Sequence, residues 1–220
     1  MVKQIETVEQ VADLRVEQPR LFSATHEEIA QGLTTDIYFV KTKEILQNMG
    51  REDAQVVAEI FGRRPGVFAG LPEVKVLLES LGLEVWSLEE GERFEAKEVV
   101  MRVHGPYSKF GIYETAILGI LASSSGWATA ARTAKEAAEG KPVLCFGARH
   151  VHPAVAPVME RAAIVGGCDG ASCILGAKLA GLEPSGTVPH ALFLIVGDTL
   201  EAAKAYHKFM PPESARSMLV

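Results

Sequence analysis

The chain has 220 residues, 48% hydrophobic and 23% charged, with a formal net charge of -6. That balance gives a globular chain with enough apolar material for a substantial core, and it excludes a disordered chain or a basic nucleic-acid surface. Cys145, Cys168 and Cys173 cannot all pair within one chain, no apolar run reaches membrane-spanning length, and the start lacks a signal peptide's order. A cytoplasmic protein without nucleic-acid or membrane partners is expected.

In chain order, Ile5, Val8, Val11 and Ala12 recur at helical intervals between Gln4 and Arg15, which predicts a peripheral helix or arm. Thr25-His26-Glu27-Glu28 has the form of a capping box, so a short helix should run to Gln31 and stop at Gly32. Thr35 or Asp36 caps a longer helix that ends at Gly50, and Tyr38 falls off its apolar pattern. Gln55 to Phe61 is a β-branched strand. Arg63-Arg64-Pro65-Gly66 follows as a turn, either solvated or an anion clamp, with the solvated turn favoured.

Pro72 to Leu81 predicts a helix closed by Gly82, Leu83 to Leu88 a short strand, and Phe94 to His104 another strand, ended by a turn at Gly105-Pro106-Tyr107. Tyr113 to Leu121 and Trp127 to Ala138 read as two helices joined across Ser123-Ser124-Ser125-Gly126. Glu114 lies among apolar neighbours and needs a partner, met by a salt bridge or a helix cap. Glu139-Gly140-Lys141-Pro142 breaks the helical run. The expected organisation is therefore an arm over 1–20, a sandwich-type α/β domain over 21–140, and a run of βα units over 141–220.

The βα units carry the chemistry. The strand Val143 to Phe146 runs into Gly147-Ala148-Arg149-His150-Val151-His152-Pro153, which offers a fixed cation and imidazoles before a helix over Ala154 to Val165. A short strand near Gly167 leads through Gly167-Cys168-Asp169-Gly170-Ala171-Ser172 into a helix from Ala171 to Leu179. Another short strand near Glu183 leads through Gly186-Thr187-Val188-Pro189-His190 into a helix from about Pro189. Loops at the carboxyl ends of parallel strands are where such folds place their sites. About three units fit after residue 140, far fewer than the eight of a closed barrel. A metal site on His150, His152, Cys168 and Cys173 is disfavoured, because His-x-His and Cys-x4-Cys are not common structural zinc spacings.

Thr35-Asp36-Ile37-Tyr38, Tyr113-Glu114, Phe146-Gly147-Ala148-Arg149-His150-Val151-His152-Pro153, Gly167-Cys168-Asp169-Gly170 and Gly186-Thr187-Val188-Pro189-His190 resemble the signature blocks of nicotinate phosphoribosyltransferase, a type II phosphoribosyltransferase, in that family's order. The resemblance implies an α/β fold: an α+β sandwich domain followed by the first part of an irregular, incomplete α/β barrel. It implies transfer of phosphoribose from phosphoribosyl pyrophosphate to the ring nitrogen of nicotinate in NAD biosynthesis, with quinolinate or nicotinamide as alternative acceptors. Magnesium is expected with the pyrophosphate, ATP is a candidate co-substrate, and a homodimer or higher homo-oligomer is implied.

By the same resemblance, Phe146 stacks on the pyridine ring and Tyr38 of a second subunit covers its other face. Arg149 lies at the reacting ring and phosphates, Asp169 orients the ring, Thr187 meets the substrate carboxylate, and Asp36 belongs to the substrate-binding set. His190 aligns with a histidine that some relatives phosphorylate from ATP, although Pro189 stands where many of those have alanine; a plain substrate contact is the other role open to it. Family members continue with further barrel strands beyond Phe209-Met210-Pro211-Pro212-Glu213. The expectation is either an enzyme completed by a second chain or a non-catalytic fragment.

Overall fold

A computed structural model describes residues 4–212, 214 and 216–218. Glu213, the last residue of the stretch beyond which family members continue, lies outside the described residues. The arm helix is short: α1 (Val8–Asp13) is closed into a capping box by Thr7 and Gln10, and Leu14 leaves it in an extended conformation. The predicted box at Thr25 and Glu28 forms and starts α2 (His26–Ala30). Arg20 reinforces it as an ion-pair partner, and together with the Thr25 N–H it holds the Glu28 carboxyl at about 2. Next comes α3 (Ile37–Asn48), which buries Phe39, Val40 and the stem of Lys43.

Then follow β1 (Gln55–Phe61), β2 (Gly66–Val67), α4 (Leu71–Leu78), β3 (Glu84–Ser87), β4 (Arg93–Phe94), β5 (Val99–Pro106) and a short α5 (Tyr107–Phe110). The expected strand from Phe94 to His104 is two strands. Lys97 turns the chain with a positive φ of 66°, its N–H donates to the Gly62 carbonyl, and the Glu98 carboxylate takes the Glu95 N–H. Gly105 and Pro106 finish β5 instead of forming a separate turn.

β5 lies at the centre of an antiparallel sheet of order β1-β5-β3, and β2 pairs with β4 in a second, two-stranded sheet. One sheet face packs with α3 and α4 around Phe68, Met101, Val103, Phe110 and Ile112, all nearly inaccessible to water. Alternation along β1 puts Val56, Ala58 and Ile60 toward that core and Val57, Glu59 and Phe61 outward.

The two helices expected on either side of Ser123–Gly126 are one helix, α6 (Glu114–Ala137). The serines do not break it, because the Ser123 and Ser125 hydroxyls have partners in the helix or on its neighbour. Ser123 Oγ donates to the Gly119 carbonyl at 2.6 Å, and Ser125 Oγ accepts the Ala69 N–H at 3.1 Å. One turn on, Thr129 Oγ accepts the Val67 N–H at 2.9 Å, and Ser124 is buried. Small hydroxyls therefore let the 66–70 segment lie on the helix. A serine hydroxyl bonded one turn back is compatible with a helix interior when packing holds it there.

Beyond α6 the chain enters parallel βα units: β6 (Leu144–Cys145), α7 (Ala156–Val165), β7 (Gly170–Ala171), α8 (Ile174–Leu179), α9 (His190–Val196) and α10 (Thr199–Phe209). β6 and β7 are parallel, Ser185 N donates to the Ala171 carbonyl, and Val188 forms a parallel bridge to Met218. Successive strand positions thus lie side by side in chain order, as an unclosed barrel wall.

Four expectations change here. The strand placed near Gly167 forms at 170–171, after Gly167 turns at φ 113°. α8 starts three residues later than Ala171, and no strand element forms near Glu183, whose carboxylate instead pairs with Lys178. The helix from Pro189 is two helices, split where Gly197 takes φ 78° and the Asp198 carboxylate caps α10 by accepting the Glu201 N–H.

The barrel wall is seated on the sandwich domain by α6 against α7. Gly166 ends α7 so close to α6 that an added Cβ would lie 2.2 Å from the Ala128 carbonyl oxygen and 2.8 Å from the Ala131 Cβ. Both obstacles are rigid. Gly166→Ala is expected to destabilise the protein by roughly 2 kcal/mol or more, read as a lower denaturant midpoint. A midpoint equal to that of the wild type would show that this seam tolerates separation.

Candidate active site

The carboxyl edge of the barrel wall collects the loops singled out in the sequence. Phe146 to His150 follow β6, Ser172 and Cys173 follow β7, and Pro189 and His190 follow the segment that touches β7 through Ser185. Phe146 is 40% exposed, and Arg149, His150, Thr187 and His190 are also exposed. An exposed aromatic and an exposed guanidinium on one loop are the groups that can stack a flat ring and meet its anionic substituent. From 146 to 155, at 172–173 and at 189–190, Arg149 is the sole lysine or arginine.

A residue not foreseen from the sequence holds two of these loops together. Glu160 on α7 is fully buried (0% exposed). Its Oε1 accepts the Ala148 N–H and the Ser172 hydroxyl, each at 3.0 Å, and its Oε2 accepts the Cys173 N–H. The signal was present: Ala156, Met159, Glu160 and Ala163 are spaced i, i+3, i+4, i+7, which puts the carboxylate on the buried stripe of the helix. Gly176 permits the approach, because a Cβ there would lie 3.2 Å from the Glu160 Cβ.

Asp169 does not share this edge. It precedes β7 and therefore lies at the amino edge, beside Val143, at the opposite end of the strands from Phe146 and Arg149. Its carboxylate accepts from Lys135 Nζ at 2.6 Å and from the Val143 N–H at 2.7 Å, while its own N–H donates to the Val143 carbonyl. Lys135, followed by that backbone donor, holds the Asp169 carboxyl below its usual range. These contacts place Asp169, for which the resemblance implies a ring-orienting role, away from Phe146 and Arg149, where it fastens the start of the barrel wall to α6.

Tyr38 and Asp36 form a second cluster, on the sandwich domain. Tyr38 is 55% exposed and packs against Phe39 with ring centroids 4.2 Å apart. Asp36 caps α3 only through its backbone geometry. Its carboxylate accepts the Thr115 hydroxyl at 3.2 Å and its N–H donates back to the same oxygen at 3.1 Å, tying α3 to the start of α6. Partial desolvation, then the Asp36 and Glu114 carboxylates, raise the Tyr38 phenol. Glu114 finds its partner in Tyr107; burial raises its carboxyl and the Tyr107 hydroxyl opposes that. The partner is thus a phenol, where a salt bridge or cap was expected.

A groove of about 370 Å³ opens near this cluster, between the edge of β1 and α6, lined by Phe61, Ile117, Leu118, Glu114 and Arg63. It belongs to the sandwich edge and not to the strand-end loops. Arg63 therefore borders a groove, whereas Arg64 is an exposed turn residue.

The two halves are joined by a paired carboxylate and guanidinium. Arg161 of α7 donates to both oxygens of Glu90, at 2.8 and 2.5 Å, and Glu90 also accepts the Gly70 N–H at 2.7 Å. Burial raises the Glu90 carboxyl, but Arg161 and the backbone donors outweigh it and hold it below its usual range.

This arrangement, a sandwich domain followed by parallel βα units with an aromatic and a guanidinium at the strand ends, defines a phosphoribosyltransferase type of architecture. The model of the quinolinate phosphoribosyl transferase N-terminal domain matches residues 36–125, and that of the C-terminal domain matches residues 127–220. The chain belongs to the type II phosphoribosyltransferases, the enzyme family those two domains make up.

The chain is 29% identical over 210 residues to the nicotinate phosphoribosyltransferase of Bacillus subtilis, covering 79% of this chain and 43% of that one. It is 33% identical over 123 residues to the carboxylating nicotinate-nucleotide pyrophosphorylase of Rattus norvegicus, covering 54% and 40%. A crystal structure of a nicotinate-nucleotide pyrophosphorylase from Pyrococcus furiosus matches with a TM-score of 0.86 at 44% identity, over 90% of this chain and 52% of that one. The human nicotinic acid phosphoribosyltransferase shares the fold, with a TM-score of 0.66 at 21% identity over 74% and 40%. The chain spans about half the length of these relatives. Among the described residues no helix is long and apolar enough to cross a membrane.

Two outcomes are expected of the fastenings. Asp169→Asn and Lys135→Met should each lower the melting temperature, and the double variant should fall less than the sum of the two, because they break one contact; full additivity would separate the two residues. Glu90, with its folded-state carboxyl below the unfolded value of about 4.3, stabilises the fold above that pH and loses this contribution as pH falls through the folded-state value. The stability gap between the wild type and Glu90→Gln should accordingly shrink below about pH 4. A gap constant with pH would remove the Glu90 carboxylate from acid unfolding.

Proposed function

We propose that the strand-end loops form the acceptor side of a phosphoribosyl-transfer site, and that the acceptor is nicotinate. The observation that carries this reading is that Phe146 and Arg149 are both exposed on the loop that follows β6, at the carboxyl edge of the barrel wall. Phe146 stacks the pyridine, and Arg149 meets negative charge at the ring and phosphates. In the reaction the ring nitrogen's lone pair forms the new bond to the anomeric carbon while the bond to pyrophosphate breaks, its electrons leaving with the pyrophosphate. The ribose gains oxocarbenium character, so orientation of a neutral nucleophile and charge on the leaving group govern the rate.

Thr187 and His190 contribute a hydroxyl and an imidazole near the same edge. Tyr38 of a second copy covers the open ring face, with Asp36 holding its helix start, which makes the working unit a homodimer or larger. Magnesium comes with phosphoribosyl pyrophosphate, whose phosphate oxygens hold it. Because the chain spans about half of its relatives, the groups for the ribose 5-phosphate are supplied by further barrel strands, in this protein or in a second chain.

Quinolinate is the second reading, favoured by the two domain models and by the 44% identity to the Pyrococcus furiosus protein. It brings a second carboxylate beside the ring nitrogen and loses it as carbon dioxide. A single guanidinium in these loops suits one carboxylate better than two.

The test is mononucleotide formation from phosphoribosyl pyrophosphate and magnesium with nicotinate, quinolinate or nicotinamide, with and without ATP, alone and with a chain carrying the remaining barrel strands. Nicotinate is expected to give the highest kcat/KM, and Arg149→Ala to lower it about a hundredfold. Faster turnover of quinolinate with release of carbon dioxide would replace nicotinate by quinolinate. No product under any condition from folded protein would make this a non-catalytic fragment.

A further inference from the structure

Glu160 is a buried carboxylate that the proposed chemistry does not use. It is fully excluded from water, no salt bridge reaches it among the described residues, and its donors come from two different loops. Such a group is costly to bury unless its oxygens are satisfied, and here they are satisfied by backbone and hydroxyl donors only. Ala148 stands between Phe146 and Arg149, and its N–H points at Oε1. Ser172 and Cys173 form the neighbouring loop, and Cys173 is the residue from which α8 begins. One carboxylate therefore sets how the loop bearing Phe146 and Arg149 lies relative to the next.

We infer that Glu160 is a positioning residue, whose carboxylate locks the Phe146–Arg149 loop to the Ser172–Cys173 loop and so fixes the ring-stacking and anion-binding groups for the acceptor. This rests on the phosphoribosyl-transfer reading for its kinetic consequence but not for its structural one. Packing alone does not account for the residue: glutamine or methionine would fill the same volume on the stripe of Ala156, Met159 and Ala163. Neither can accept from three donors at once. In Glu160→Gln an amide oxygen at Oε1 keeps Ala148 and Ser172, and its NH2 then faces the Cys173 N–H, donor against donor. In the other orientation the Ala148 N–H loses its acceptor.

The experiment uses the full chain, with the partner barrel chain where the activity needs it, and two readouts. Kinetically, Glu160→Gln should raise KM for the pyridine acceptor about tenfold or more while KM for phosphoribosyl pyrophosphate changes less than about twofold; Ser172→Ala, which removes one donor, should act in the same direction but less. A residue that merely supports folding would lower the active fraction and leave both KM values in place, and that result would overturn the inference. Structurally, amide hydrogen exchange at Ala148 and Cys173 should accelerate in Glu160→Gln while exchange in β5 stays as in the wild type.

If the wild type transfers no phosphoribose to any acceptor, the functional reading falls, and exchange alone decides whether the lock exists: unchanged exchange at both amides would remove it. If Glu160→Gln fails to fold, Ser172→Ala carries both readouts, with an unchanged acceptor KM and unchanged Ala148 exchange counting against the lock.

Discussion

The close approach of α6 and α7 is the constraint on which the remaining geometry depends. Gly166 against the Ala128 carbonyl brings the helices to backbone contact, and the same stretch of α6 carries Ser125 and Thr129, which hold the 66–70 segment on its other side. One helix thus serves as wall to the sandwich core and as floor to the barrel units. Arg161 and Glu90 fasten the same junction with charge, and the Gly70 N–H shares the Glu90 carboxylate with the guanidinium. Small side chains let the backbones meet, and the paired charges tie α7 to Glu90 and the Gly70 backbone. Because dispersion falls steeply with a gap of even an ångström, loss of either would be felt throughout the packed layers.

On that platform, the two ends of the parallel strands have different work. The amino edge is tied down by Asp169, which takes donors from Lys135 and Val143. The carboxyl edge keeps Phe146 and Arg149 uncovered while Glu160 satisfies the backbone beneath them. Carboxylates at the two ends therefore both act by holding backbone, one exposed and ion-paired, the other buried without a cation. What differs is what they leave free: the Asp169 carboxylate is engaged by Lys135 and Val143, and the Glu160 end presents an aromatic and a guanidinium to solvent. This polarity is general to parallel strands, whose carboxyl ends run into the loops that begin the next helices.

The sandwich domain contributes a separate cluster of Tyr38, Asp36, Thr115, Glu114 and Tyr107. It was legible in part. Glu114 stood out as a carboxylate among apolar neighbours, and Asp36 as a helix start, but their partners are a phenol and a threonine that no spacing rule connects to them. Asp36 meets Thr115 across 79 positions of sequence. The same limit explains α6, where Ser123-Ser124-Ser125-Gly126 has the composition of a linker and forms helix because the 66–70 segment supplies partners for its hydroxyls and a surface for its small side chains.

By itself, the sequence determined what local chemistry dictates. It determined the capping box at Thr25 and Glu28, the helix from Ile37, the alternation of β1, the break at Glu139-Gly140-Lys141-Pro142, and the rule that polar loops follow apolar strands in the last eighty residues. It also determined the type II phosphoribosyltransferase family, though not which member, because blocks such as Phe146 to Pro153 keep their order along the chain whatever their contacts. Only the tertiary structure decided which end of a strand each block occupies. Asp169 and Ser172 are three residues apart in one block, yet the two residues of β7 between them put one at the amino edge and the other at the carboxyl edge. Only the tertiary structure, again, gave Glu160 its donors. A carboxylate's role depends on which groups surround it once water is excluded, and those groups come from loops brought together by α7 and not by their nearness in sequence.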